Sequence, residues 1–190
     1  MSPTRLLPLL LALMLLLHVN TAAAREYLID TSGAHASVNF KFDHLGIGRI
    51  TGSFREFSGT FFYDREAPAT AWIKVKIKTA SLDSNQSTRD MNIRSSLFLD
   101  VEQYPLATFE SDAISEEAGL LLITGDLTLH GVTRRISLQG RELGQLTDQW
   151  GRERVGFEAS TTLNTLDFDM RFPPGNQIML ELYIEGVARP

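Results

Sequence analysis

The sequence predicts an all-β protein that folds as an antiparallel barrel of up-and-down topology with one short helical insertion. Most of the chain after residue 25 alternates apolar and polar side chains with the two-residue period of a strand that faces the core on one side. Glycine-bearing turn signals separate these runs. The alternation breaks down near residues 86–104, where mixed polarity predicts the helical insertion.

The N-terminal segment has the features of a secretory signal peptide. Arg5 precedes an apolar stretch at residues 6–17, and three alanines follow shortly after it. This stretch is too short for a transmembrane helix, which needs about 20 apolar residues. We therefore expect a signal peptide at residues 1–24, a single mature domain at residues 25–190, a periplasmic location and no stable membrane insertion.

The composition argues against several classes of protein. The formal net charge of −5 at pH 7 is the wrong sign for a nucleic-acid-binding protein, which normally carries clustered lysine and arginine. The chain contains no cysteine. It therefore has no disulfide scaffold, no thiolate zinc site, no cysteine nucleophile and no lipid-modified cysteine.

The alternation is clearest in the segment 72–78, where Ile73, Val75 and Ile77 alternate with lysines. The apolar side chains of such a segment face the core and the lysines face water. Several of the runs are long and short turns connect them, which favours an up-and-down barrel over a sandwich. The predicted strands lie near residues 27–31, 35–43, 49–55, 57–64, 70–80, 107–115, 120–130, 132–141, 154–163 and 177–188.

Turn signals mark the connections between these strands. Glycine-bearing turns are predicted at 45–48, 116–119 and His130-Gly131. Glycine adopts positive φ freely, and histidine adopts it more often than most residues. We therefore interpret this histidine as a turn residue. Wider loops are predicted at 142–152 and 171–176.

The helical insertion is predicted over residues 86–98, before a second short turn. Ser84 or Ser87 could provide its N-terminal cap. Asp90 and Arg94 are four residues apart and would pair on one helical face. A helix between two barrel strands usually lies over an open end of the barrel. The apolar residues expected to face the barrel are Met91, Leu97 and Phe98.

No motif in the sequence identifies a catalytic or metal site. His35, His44 and His130 do not stand at metal-ligand spacing, and no HExxH, GxSxG or glycine-rich phosphate loop occurs. Asp167 and Asp169 would share a strand face, either as a solvated edge or as a carboxylate pair for acid–base work. We predict no metal, no cofactor and no catalytic residue.

The chain is rich in phenylalanine, and this observation has two interpretations. All 11 phenylalanines lie after residue 25. The interior of a barrel of about eight strands can be filled by side chains or can hold one small ligand. The phenylalanines could therefore form an ordinary packed core, or they could line a cavity for a long apolar ligand under the helix. The composition leaves both interpretations open.

Taken together, the segments resemble the YceI family, the lipid- or polyisoprenoid-binding YceI-like domain of bacteria. The resemblance covers roughly residues 27–188, and each matching stretch is weak alone but specific in this order. The stretches are His35-x-x-Val38-Asn39-Phe40, His44-Leu45-Gly46, Gly52-x-Phe54-x-x-Phe57-x-Gly59, Ser87-Thr88-Arg89-Asp90, Ile93-Arg94-Ser95, Phe98-Leu99-Asp100, Tyr104-Pro105-x-Ala107-Thr108-Phe109, Thr124-Gly125-Asp126-Leu127-Thr128-Leu129-His130-Gly131-Val132-Thr133 and Gly156-Phe157-Glu158-Ala159.

One stretch departs from the family pattern. Many members carry Arg-Ser-Asp-Phe-Gly late in the chain, whereas this chain reads Thr165-Leu166-Asp167-Phe168-Asp169. The Asp-Phe pair is kept, and the arginine and glycine are absent. A head-group contact made by that arginine therefore does not carry over to this chain.

The resemblance implies an eight-stranded antiparallel, lipocalin-like barrel that binds a lipid in its interior. The expected ligand is a polyisoprenoid, an isoprenoid quinone or another long-chain isoprenoid or acyl lipid, bound for periplasmic transport or storage. The residues expected to line the tunnel are Phe40, Phe42, Phe54, Leu127, Leu129 and Phe157. The residues expected at a polar mouth are His44, Arg89, Asp90 and Arg94.

Other interpretations stay open at this point. Arg89 and Asp90 could instead fix the helix over the barrel. The protein could be an enzyme that modifies an isoprenoid or fatty-acid derivative in the same cavity, or a structural or stress-related barrel filled by its own side chains. A homodimer is also open.

Overall fold

The described part of the chain is one antiparallel sheet that closes into a barrel. The computed structural model describes residues 25–171 and 175–189, so the predicted signal peptide and the centre of the predicted loop 171–176 lie outside the described residues. The strands are β1 (Arg25–Ile29), β2 (Ser37–His44), β3 (Gly48–Phe54), β4 (Phe57–Tyr63), β5 (Trp72–Lys78), β6 (Leu82–Asp83), β7 (Leu106–Glu117), β8 (Leu120–Leu129), β9 (Val132–Thr147), β10 (Glu153–Asn164) and β11 (Gln177–Ala188).

Helical structure is brief. The single α-helix of the described residues, α1, spans Ser87–Arg94. Short 3-10 turns occupy Pro68–Thr70, Thr79–Ser81 and Thr165–Phe168. No helix in the described ranges has the length and apolar character that a membrane crossing requires.

The eleven strands form an eight-stranded barrel because three of its strand positions are interrupted. β1 and β2 follow one another along the same edge of β11, where β1 pairs with residues 186–188 and β2 with residues 179–183. The next position is shared by β4, which pairs with β1, and β3, which pairs with β2. The third position is shared by β5, which pairs with β4, and β6, which pairs with β3. β7 to β11 complete the circuit, and β11 closes it against β1. The predicted eight-stranded antiparallel barrel is confirmed.

The alternation along the strands separates the barrel interior from water. On β5, Ile73, Val75 and Ile77 line the interior, while Lys74 and Lys76 are exposed. The same parity turns the apolar residues of β2, β8 and β11 inward. The prediction from the period-2 pattern is therefore confirmed, and the barrel core is apolar.

The predicted tight turns are also confirmed. His130 and Gly131 have φ of 52° and 72°, and Ala118 and Gly119 have φ of 52° and 80°. Each pair joins two strands as a two-residue hairpin, which needs positive φ at both positions. A three-residue turn begins at Leu45, whose φ is 55°.

The wide loop predicted at 142–152 is shorter than expected. β9 continues to Thr147, so the loop covers only 148–152. Residues 142–147 stay in the sheet because β10 pairs with them, with Leu146 opposite Arg154. Leu143 and Leu146 are both exposed, so this extension lacks the alternation that would have revealed it.

The helix ends earlier than residue 98. α1 stops at Arg94, and the chain then turns, with the backbone N–H of Leu99 donating to the carbonyl of Ile93 at 3.0 Å. Neither Ser84 nor Ser87 caps the helix, because the side chain of Gln86 accepts from the backbone N–H of Arg89. Both details of the helix prediction were wrong.

The face that the helical segment turns inward also differs from the prediction. Met91 and Leu97 are 65% and 77% exposed, whereas Ile93 and Leu99 are buried. Phe98 is partly buried against the same core cluster. Within α1 the inward face is that of Ile93, two residues from Met91 and therefore on a different side of the helix. After Arg94 the chain no longer follows helical phase, so Leu99 packs inward and Leu97 does not.

The barrel has two distinct ends. The helix end carries α1, the 3-10 turn Thr165–Phe168 and the hairpin turn at His130-Gly131. The loop end carries the connection from β4 to β5 and the loop 148–152.

Candidate functional site

The barrel interior contains two apolar cavities in line along its axis. The helix-end cavity has a volume of about 80 Å³ and the loop-end cavity about 130 Å³. The helix-end cavity is bounded by the ends of β2, β3 and β8 together with α1 and the turn Thr165–Phe168. The loop-end cavity is bounded by residues of β4, β5, β7, β8, β9, β10 and β11.

A ring of four side chains separates the two cavities. Val38, Ile77, Leu127 and Leu180 line both of them, so the cavities adjoin at this level. We call this ring the waist. All four side chains are aliphatic, and Val38 and Leu127 are buried.

Polar side chains are almost absent from the walls. Among the described lining residues, the polar side chains are Thr165 in the helix-end cavity and Tyr63 in the loop-end cavity, and none is charged. The Tyr63 hydroxyl donates to a carboxylate oxygen of Glu142 at 2.8 Å. Burial raises the pKa of Tyr63, and the adjacent Glu142 carboxylate raises it further. The interior therefore suits an uncharged, hydrocarbon-rich guest.

All six residues predicted for a tunnel lie on the interior wall. The helix-end cavity is lined by Phe40, Phe42, Phe54 and Leu129, the waist by Leu127, and the loop-end cavity by Phe157. Contact of these residues with a ligand stays a prediction.

The aromatic wall of the helix end depends on a glycine. The Phe40 ring packs against the Phe54 ring with centroids 5.7 Å apart, and it stacks on Phe42. It also lies over Gly52, where a Cβ atom would come within 2.3 Å of the ring. The same Cβ atom would come within 2.5 Å of the backbone carbonyl oxygen of Asp83, so a side chain at position 52 would displace both the ring and the backbone.

The four residues predicted for a polar mouth do not form one cluster. Arg89 and Asp90 both bond to Ser84, and Arg94 donates to the carbonyl of Leu82. Asp90 is buried and accepts from the backbone N–H of Ser84 at 2.9 Å. These three side chains thus hold α1 against the segment that begins with β6. The predicted Asp90–Arg94 ion pair does not occur among the described residues.

His44 has a separate place. It is exposed at the end of β2, where its carbonyl accepts from the backbone N–H of Ile47 at 3.1 Å. Among the described residues, His44 is not one of those that line either cavity.

His130 does more than form a turn. Its Nδ1 lies 3.1 Å from the carbonyl oxygen of Phe168, which can only accept, so this nitrogen carries the proton. Its ring packs edge-on against Tyr104 with centroids 4.7 Å apart. The histidine thereby ties the turn Thr165–Phe168 to the β8–β9 hairpin and helps to close the helix end.

The carboxylate pair proposed for Asp167 and Asp169 is not on a strand. Asp167 lies in the 3-10 turn, and Asp169 caps that turn with φ of 58°. Both side chains are exposed, and neither residue belongs to a strand. The prediction of a shared strand face was wrong, because the polypeptide leaves β10 at Asn164.

An ion-pair cluster outside the cavity was not predicted from the sequence. Asp30, His35 and Glu185 offer ligand atoms within 4.8 Å of one another, an arrangement that could hold a metal ion. Arg154 occupies this position instead, donating to Asp30 at 2.8 Å and also to Glu185. The Arg154 guanidinium holds the pKa of the Asp30 carboxyl well below its usual range.

Comparison with known proteins agrees with this architecture. The model of the YceI-like domain family matches residues 27–186. The UPF0312 protein VPA0850 of Vibrio parahaemolyticus is 45% identical over 170 residues, covering 88% of this chain and 90% of that protein. Protein YceI of Escherichia coli O157:H7 is 40% identical over 178 residues, covering 92% and 93% of the two chains.

A solved structure shares the fold at low sequence identity. A polyisoprenoid binding domain from Saccharophagus degradans, implicated in plant cell wall breakdown, superposes with a TM-score of 0.64 at 15% identity. The alignment covers 88% of this chain and all of that domain. With the family model spanning most of the chain and close relatives covering nearly all of it, this protein belongs to the YceI-like domain family.

Proposed function

We propose that this protein binds one long-chain lipid inside its barrel and acts as a carrier or store rather than as an enzyme. The ligand would be a polyisoprenoid, an isoprenoid quinone or another long-chain isoprenoid or acyl lipid. The observation that carries the proposal is the pair of in-line cavities with uncharged, almost wholly apolar walls. A hydrocarbon chain is the guest whose chemistry matches such a wall.

The dimensions of the barrel suit an extended chain. β11 contains 12 residues, and at about 3.3 Å per residue with a tilt of about 40° it spans roughly 30 Å along the barrel axis. Each methylene group moved from water into the interior contributes about 0.8 kcal/mol, which is offset in part by the ordering of the chain.

Binding requires the waist to open. Cavities of about 80 and 130 Å³ are each smaller than the dry cavity of about 150 Å³ that binds a single benzene ring. A long chain therefore occupies both cavities only after Val38, Ile77, Leu127 and Leu180 rotate. Aliphatic side chains have alternative staggered rotamers, through which this opening would proceed.

A protein of the same fold supports the class of ligand, and the N-terminal sequence pattern supports a periplasmic location. The Saccharophagus degradans domain of the same fold is a polyisoprenoid binding domain. The signal-peptide pattern at the start of the sequence supports export to the periplasm, where an insoluble lipid needs a carrier. Cell fractionation tests the location, and the molar mass in solution tests the homodimer.

The cavities also bear on two alternative functions, a lipid-modifying enzyme and a barrel filled by its own side chains. Enzymatic modification of a lipid needs an acid, base or nucleophile at the reacting atom, and the described lining residues offer only the hydroxyls of Thr165 and Tyr63. This observation favours binding over catalysis. The small volumes favour a barrel filled by its own side chains. A filled barrel would bind no added lipid, whereas a carrier would bind one.

Adjacent positions on β5 give a matched test. Ile77 lies in the waist, whereas Lys76 faces water on the opposite side of the same strand. We expect Ile77→Glu to abolish binding of a short-chain ubiquinone, because a charge buried without a partner opposes an apolar guest. Lys76→Glu should bind as the wild type does. Binding is measured by titration, and circular dichroism checks that both variants fold.

Equal binding by a folded Ile77→Glu variant and by Lys76→Glu would place the ligand outside the barrel. Failure of the wild type to bind ubiquinone, polyprenol and fatty acid alike would favour the filled barrel.

A further inference from the structure

Three side chains meet across the mouth of the barrel at the loop end. Tyr63 is the last residue of β4, Arg65 follows in the connection to β5, and Glu142 lies on β9. The Tyr63 hydroxyl donates to a carboxylate oxygen of Glu142 at 2.8 Å, and Nε of Arg65 donates to the same oxygen at 3.1 Å. A second guanidinium nitrogen of Arg65 donates to the other carboxylate oxygen. We call these three side chains the clasp.

The clasp joins opposite sides of the barrel. Counted around the sheet in either direction, β9 is four strand positions from β4. Strands four positions apart in an eight-stranded barrel face each other across its full width. The clasp therefore crosses the mouth, next to the loop-end cavity whose wall includes the ring of Tyr63.

The two ends of the barrel are closed in different ways. The helix end is closed by backbone elements, α1 and the turn Thr165–Phe168, which carry the buried residues Asp90, Ile93 and Phe168. At the loop end, none of residues 64–71 is buried, and the Arg65 side chain is 54% exposed. Exposed segments with few buried contacts open locally more easily than buried ones, and an exposed ion pair adds little resistance. The loop end is therefore the easier end to open.

We propose that the clasp is the gate through which the lipid enters and leaves the barrel, opening when residues 64–71 move away from β9. The inference rests on the proposed function and adds the route of entry. Among the described residues, Arg65 and Glu142 line neither cavity. Since the gate makes no differential contact with a bound guest, its loss should change the rates of entry and release by the same factor and leave the affinity unchanged.

The first test compares the double variant Tyr63→Phe/Arg65→Gln with Arg135→Gln. The double variant removes both donors to Glu142 and keeps an aromatic ring in the cavity wall. Arg135 forms an ion pair with Asp112, and its side chain is 54% exposed, as is that of Arg65. Stopped-flow fluorescence measures the association and dissociation rate constants of a short-chain ubiquinone, and the Tm of each variant checks that it folds.

We expect the double variant to raise both rate constants roughly 3- to 10-fold, the effect of about one net hydrogen bond on the opening step. The dissociation constant should stay at the wild-type value because the two rates rise together. Arg135→Gln should exchange ubiquinone at the wild-type rates, since its ion pair does not cross the mouth.

A cross-link tests the route independently. The chain contains no cysteine, so a thiol reagent attaches only where cysteines are introduced. In the variant Arg65→Cys/Glu142→Cys, a short bismaleimide would tie the connection 64–71 to β9. We expect the cross-linked protein neither to load nor to release ubiquinone. The same variant with each thiol capped by N-ethylmaleimide should exchange it at least as fast as the wild type.

Wild-type rate constants in the folded double variant would overturn the gate. Exchange by the cross-linked protein as fast as by the capped protein would do the same, and it would place the entry at the helix end. The lipid-binding function would survive either result, because the affinity for ubiquinone would be intact. If the wild type bound neither ubiquinone, polyprenol nor fatty acid, the proposed function would fail and the gate with it.

Discussion

Asp90 shows how a single carboxylate closes the helix end of the barrel. It is 5% exposed and accepts from both the backbone N–H and the hydroxyl of Ser84. Arg89 donates to the same hydroxyl and to the carbonyl of Ser84. The helix and the segment before it are thus joined by hydrogen bonds that are shielded from water.

Replacement of Asp90 by alanine should therefore destabilise the protein. The buried N–H of Ser84 would lose its partner, and an unpaired buried donor costs about 1–3 kcal/mol. We expect Asp90→Ala to lower the free energy of unfolding by about that amount in urea denaturation. The control is Glu102→Ala at an exposed position after α1. Equal stability of the two variants would contradict this role of Asp90.

At the residue scale, sequence reasoning was successful where side-chain direction follows from local geometry. The family resemblance named Phe40, Leu127 and Phe157 for the interior, and the period of two supported that choice because neighbouring residues of a strand point to opposite faces. Neither observation singled out the clasp. A contact across the width of the barrel is a property of the tertiary structure, and the sequence pattern carries no signal for it.

Among the elements, the interrupted edge formed by β1 and β2 depends on an ion-pair network. Arg154 on β10 donates to Asp30 at the end of β1 at 2.8 Å and to Asp148 in the loop 148–152 at 2.8 Å. It also donates to Glu185 on β11. One guanidinium thereby connects three strands and a loop.

This network predicts a specific acid response. The pKa of Asp30 is lowered, mainly by the hydrogen bond from Arg154, so ionised Asp30 stabilises the fold above about pH 4. That contribution is lost as the pH falls from about 5 towards 2. Arg154→Gln should lower the Tm at pH 7 and flatten the decrease of Tm with acid. Differential scanning fluorimetry across this range measures both effects.

The control for this prediction is Arg141→Gln, which removes an exposed ion pair with Glu158 on the outer face of the sheet. Exposed pairs contribute little, so its acid profile should follow that of the wild type. Parallel profiles for Arg154→Gln and the wild type would show that the network does not stabilise the fold.

At the element scale, local turn chemistry was predictable and element ends were not. The turn at His130-Gly131 follows from the positive φ that histidine and glycine accept, and the turn at residues 118–119 follows from Gly119. The end of α1 at Arg94 depends instead on packing, since Ile93 and Leu99 are both buried in the core. The extension of β9 to Thr147 likewise depends on pairing with β10, a partner distant in the sequence.

For the whole molecule, the central feature is a closed barrel with an apolar interior divided at the waist. The long alternating strands predicted an up-and-down barrel, and the family resemblance predicted eight strands. The interruptions explain why more segments than eight were expected, since β1/β2, β3/β4 and β5/β6 each fill one position. The division of the interior by Val38, Ile77, Leu127 and Leu180 could not be predicted, because it depends on how side chains from four strand positions meet.

Native mass spectrometry of the protein, purified from cells without detergent, tests lipid binding most directly. We predict a species heavier than the protein chain by one long-chain lipid, and solvent extraction should release an isoprenoid or acyl compound in equal molar amount. A bare chain mass that gains no adduct after incubation with ubiquinone, polyprenol or fatty acid would contradict the lipid-carrier account.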